Sequence, residues 1–174
     1  QEVIQVLIKA HAIAAIFILV VSFGVAGIVA NGIETITVSK SEIYWTTCVM
    51  GMSVAVGVAG LTFESTIIAM KRFDQLNVVA VFCHVIEAGI MFFAIRNGEG
   101  VFTLAWIVLS VMLVRVGIVF ILAQKALPFP ILWHWTWSRA TMKKLASFGL
   151  LNVFVGGARR VANYAGAIIV GFVA

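Results

Sequence analysis

Long apolar runs separated by short polar breaks divide the chain, at 3–30, 43–70, 75–95, 101–127 and 146–174. Each is about as long as a helix must be to cross the hydrocarbon of a bilayer, for which roughly 20 residues suffice. The pattern predicts an all-α fold: a polytopic membrane bundle in one domain, with four transmembrane helices first. Residues 129–145 form a tryptophan-rich interfacial segment, and 146–174 a fifth span or half-span with Arg159 and Arg160 in its middle.

The breaks carry the usual stop signals. Asn31-Gly32 suits a helix C-terminus, Lys71-Arg72-Phe73-Asp74 reads as a basic turn, and Arg96-Asn97-Gly98-Glu99-Gly100 as a tight polar loop. Pro128 and Pro130 end the fourth run, because proline cannot continue a helix. Tyr44 and Trp45 open the second run at headgroup level, and Trp133, Trp135 and Trp137, with Lys143 and Lys144, read as interfacial anchors. Small residues mark packing faces: Gly24 and Gly27 in the first run, and Ser53, Gly57 and Gly60 in the second. In the last run Ala158, Ala162 and Gly166 read as a helix-packing or oligomer face.

Composition sharpens this picture. Of 174 residues 63% are hydrophobic and 11% charged, more apolar surface than one soluble core hides. The net charge of +5 sits at helix ends, so anionic lipid headgroups, not nucleic acid, are the expected partners. Lys71, Arg72, Lys125, Arg139, Lys143 and Lys144 share one side, against Lys40 and Arg96 on the other. The positive-inside rule therefore predicts a cytoplasmic N-terminus. The first run is too long for a signal-peptide core and is expected to be retained. Cys48 and Cys83 fall near opposite membrane faces, which argues against a disulfide.

The candidate chemistry is a set of ionisable residues inside the runs, where each is expensive and so a functional candidate by default. Counting from the helix ends of antiparallel hairpins puts Lys9, His11, Glu64, Cys83, His84 and Arg115 at nearly one depth, with Glu87 about a turn deeper. That layer lies roughly 10 Å inside the cytoplasmic helix ends. Glu64–Arg115 and Glu87–Arg115 are the expected ion pairs. Lys9 has a simpler reading as a snorkelling side chain, and an ion pair that only locks the bundle is the simpler reading of the others.

Four functions fit this layer. Glu64, His84 and Glu87 suit an ion or proton pathway tuned by Arg115 and Lys9, in an oligomer or larger membrane complex, and this is the first expectation. His11 and His84 suit b-type haem ligands, or a quinone pocket, in a redox complex. His84-Val85-Ile86-Glu87, with Glu64 and His11, suits a metal site. A non-catalytic assembly subunit needs only the small-residue face and the tryptophan collar. Nucleophile–base motifs, phosphate loops and dinucleotide fingerprints are absent, so the chain is not expected to be an enzyme by itself. His134, between tryptophans, reads as an anchor, and Ser53 and Ser110 as residues bonded to helix carbonyls.

Overall fold

A computed structural model describes residues 2–32 and 39–127. Within them the chain forms four helices and no strand: α1 (Glu2–Gly32), α2 (Lys40–Ala69), α3 (Phe73–Arg96) and α4 (Val101–Ala126). All four are long and apolar enough to cross a membrane, as in a multi-pass integral membrane protein. The tryptophan-rich segment 129–145 and the run 146–174 lie outside the described residues, and with them Trp133, His134, Trp135, Trp137, Lys143, Lys144, Ala158, Arg159, Arg160, Ala162 and Gly166.

The helix ends follow local chemistry. Ser39 caps α2, its hydroxyl accepting from the Glu42 N–H at 3.1 Å, which satisfies one of the orphan donors of a helix start. The α3 end closes through Gly98, whose φ of 77° lies in the left-handed region. Gly98 N–H donates to Ile95 O and Glu99 N–H to Ala94 O, the paired closure of a glycine C-cap. The α2 end closes by the same pair of bonds, Lys71 N–H to Ile68 O and Arg72 N–H to Ile67 O. Here the left-handed position, φ 59°, is filled by Lys71, at the steric cost a Cβ carries there.

Packing centres on α2, α3 and α4. Lipid tails are as apolar as leucine, so helices in a membrane associate through close contact and hydrogen bonds, and small residues favour that. The small face of α2 is where α4 lies. A Cβ added at Gly60 would come within 2.7 Å of the Val116 side chain, and one at Gly57 within 3.5 Å of Met112. Two buried clusters flank this line: Val49, Ala105 and Leu109 toward one end, Ile67, Val119 and Ala123 toward the other. Phe63 and Phe120 meet edge to face at 5.0 Å between them.

α1 meets α2 through His11 and Thr62, and through Ser22 against Gly51. At the expected close-approach positions Gly24 and Gly27, none of the described residues lies within 4 Å of an added Cβ. The buried small residues of α1 are Ala15, Ala26 and Ala30, with Ser22 and Ala26 spaced one turn apart. Glycines mark where a helix can approach, but the register decides which face does. Cys48 and Cys83 are both buried and unbridged.

α3 is different. Only Cys83 and Ala94 are buried along its length. Val78, Val81, Val85, Phe92, Phe93 and Ile95 are all exposed, as lipid-facing or partner-facing side chains are.

Candidate functional site

The ionisable residues come together as two separate groups. The first is inside the bundle. Arg115 of α4 donates through Nη2 to Glu64 Oε1 of α2 at 2.8 Å, both side chains about a quarter exposed. The helices run parallel, and the register that sets Gly60 against Val116 makes Glu64 level with Phe120, more than a turn past Arg115. The arginine spans that offset with its long stem, and Glu64 leans toward it because helical side chains tilt to the N-terminus.

Beside this pair lies the α1 face. His11 Nδ1 sits 2.8 Å from Thr62 Oγ1 and 3.0 Å from the Leu7 carbonyl. The same hairpin register puts Lys9 level with Glu64, and Lys9 is 6% exposed. Thr66 and Ser53 donate to Thr62 O and Met50 O at 2.8 and 2.7 Å, so their hydroxyls are absorbed by the helix backbone.

The second group is on the outside. His84 Nδ1 lies 3.3 Å from Glu87 Oε2, one turn along α3, with side-chain exposures of 67% and 22%. His84 is about 16 Å from Phe73 and about 18 Å from Arg96 at 1.5 Å per residue. It therefore sits at the middle of a span whose hydrocarbon is about 30 Å thick. Glu87 bonds with His84 on α3 and Arg115 with Glu64, so of the two expected ion pairs the structure contains Glu64–Arg115.

The single layer of the depth count becomes two tiers. Glu64 is about 8 Å from the end of α2, whereas Arg115 is about 16 Å from the end of α4. The cause is the α2–α3 turn, which is tighter than the apolar run suggests: α2 ends at Ala69 and α3 begins at Phe73. That slides α3 along α2 by almost a turn.

The two histidines have separate engagements, His11 with Thr62 and His84 with Glu87. Among the described residues no three of His, Cys, Asp and Glu gather as metal ligands, so Glu64, His84, Glu87 and His11 are not assembled into a metal centre. Reasoning from sequence missed Thr62, the partner of His11. Its signal was available, since equal-depth counting across the first hairpin pairs residue 11 with residue 62.

An apolar groove of about 190 Å³ runs between α3 and α4, lined by Phe82, Cys83, Ile86, Ser110, Val114 and Ile118 among others. Among the described residues that line it, the polar side chains are Cys83 and Ser110. Comparison of the chain with protein-family models, curated proteins and solved structures finds no match in any of the three.

Proposed function

We propose that this protein conducts or transports a proton or small ion across a membrane, as an oligomer or as a subunit of a larger membrane complex. The observation that supports this most is the His84–Glu87 pair: two titratable side chains in hydrogen-bond reach of each other at mid-membrane, the imidazole two-thirds exposed and the carboxylate 22% exposed. A bilayer centre penalises such groups, and an imidazole beside a carboxyl group is the kind of pair that can pass a proton from one to the other. In this reading the proton moves between the Glu87 carboxylate and the His84 imidazole. Arg115 and Glu64 are closed on each other at 2.8 Å, so in this reading they supply a structural tie, and Lys9 sits at the level of Glu64. The N-terminus and the basic ends at Lys71, Arg72 and Lys125 face the cytoplasm, against anionic headgroups.

The test is proton flux into liposomes containing the purified chain, driven by a potassium diffusion potential and read with an internal pH dye. Flux above empty liposomes, falling about tenfold or more on His84→Ala, supports the reading. Flux equal to that of empty liposomes, for protein shown to be folded, contradicts conduction by this chain alone.

The outward placing of His84 also favours a second reading, a non-catalytic assembly subunit whose α3 is a contact surface. That subunit shows no flux and loses its complex, not an activity, when His84 is replaced.

A further inference from the structure

The outer face of α3 carries a second polar residue besides the ionisable pair. Asn77, Val81, His84, Ala88, Met91 and Ile95 follow one another at alternating spacings of four and three. That is the spacing of a seam between two helices in a left-handed pair. Asn77, Val81, His84, Ala88 and Ile95 are exposed, and Met91 is half-buried. The stripe lies to one side of the Cys83–Ala94 line that is buried along α3.

Two residues on this stripe have hydrogen-bonding groups that the described residues leave unused. Asn77 makes no side-chain hydrogen bond to the described residues. His84 uses Nδ1 toward Glu87, which leaves Nε2 outward. Lipid tails offer neither donor nor acceptor, whereas Asn and His across a helix pair hydrogen-bond to each other's backbone or side chains.

We infer that the stripe is a homodimer seam, with α3 of a second copy lying parallel against it. The stripe is its own complement. A carboxamide both donates and accepts, so Asn77 pairs with Asn77 across a two-fold axis. As an imidazolium His84 donates from both ring nitrogens, so Nδ1 serves its own Glu87 and Nε2 of each copy donates to Glu87 of the partner subunit. Ala88, at the next seam position after His84, lets the backbones approach. Two copies inserted in the same sense bring these groups to equal depth automatically, whereas an unrelated partner must supply polar groups at both depths. This inference rests on the exposed stripe and not on conduction, so either stands without the other.

The test is disulfide cross-linking of the full chain in proteoliposomes, with Cys48 and Cys83 replaced by serine and one cysteine introduced. Val81→Cys and Ala88→Cys should each give a dimer on oxidation, and Phe82→Cys, off the seam at nearly the same depth, at least about fivefold less. Adding Asn77→Leu and His84→Leu should lower the cross-linked fraction about ten- to twentyfold, the worth of three interhelical hydrogen bonds in a membrane, one between the asparagines and one from each His84. Equal cross-linking at 81 and 82, or a dimer indifferent to loss of Asn77 and His84, overturns the inference. So does a Val81→Cys thiol that is shielded from maleimide yet gives no dimer, which means that another chain or another segment covers the stripe. Counting photobleaching steps of sparsely labelled protein with its cysteines intact gives an independent readout. Two steps falling to one in the Asn77→Leu, His84→Leu chain agree with the seam, and one step in both contradicts it.

Discussion

The α2–α4 seam and the outer face of α3 hold the same kind of residue pair under opposite conditions. On the seam, Glu64 and Arg115 meet at 2.8 Å in the same interface as the contact of Gly60 with Val116. On α3, His84 and Glu87 meet at 3.3 Å with the imidazole two-thirds exposed. The inner pair is satisfied within the chain. The outer pair lies at mid-membrane, where what surrounds it must come from outside the helix. An inner pair closed on a permanent cation is a tie, and an outer pair of two titratable groups is available for proton exchange or for a partner. The contrast is the main reason for reading function on α3 and stability on the seam.

That contrast breaks first at Gly60. Gly60→Leu places a side chain where even a Cβ meets Val116 at 2.7 Å, so the α2–α4 contact must open. A loss of about 3 kcal/mol in detergent-micelle unfolding is the expected result. Glu64→Gln comes next. It leaves Arg115 with a neutral acceptor, and with both side chains only about a quarter exposed it should cost about 2 kcal/mol, less than the loss from a fully buried pair. Glu87→Gln should cost less, under about 1 kcal/mol, because its partner His84 is two-thirds exposed even though Glu87 itself is 22% exposed. One substitution acts in the opposite direction: Lys71→Gly relieves the left-handed backbone at φ 59° and should stabilise by about 1 kcal/mol, seen as a later unfolding midpoint.

Much of the fold is legible in the sequence because a membrane leaves few options. Runs of apolar residues must be helices, since hydrocarbon satisfies no backbone group, and polar breaks such as Lys71–Asp74 and Arg96–Gly100 must be turns. The observed helices keep the expected order, with ends shifted by a few residues. The first hairpin register was also legible: His11 opposite Thr62 and Ser22 opposite Gly51 follow from counting back from the loop. Rotation about each helix axis was not. With nearly every position apolar, α3 gives no periodic signal to say that Cys83 faces inward and His84 outward. For the same reason Gly24 and Gly27 looked as suitable for packing as Gly57 and Gly60, and only the last two meet α4. The depth of Glu64 relative to Arg115 depended on a turn shorter than the hydrophobic run implies.

The central claim is that the outer pair acts and the inner pair holds. The most direct test measures proton flux and unfolding together in Glu87→Gln and Glu64→Gln, in the same liposome and micelle preparations. The account predicts that Glu87→Gln loses flux about tenfold or more with its unfolding little changed, while Glu64→Gln unfolds early and keeps its flux per folded molecule. Full flux in Glu87→Gln, or early unfolding in Glu87→Gln with none in Glu64→Gln, would contradict it.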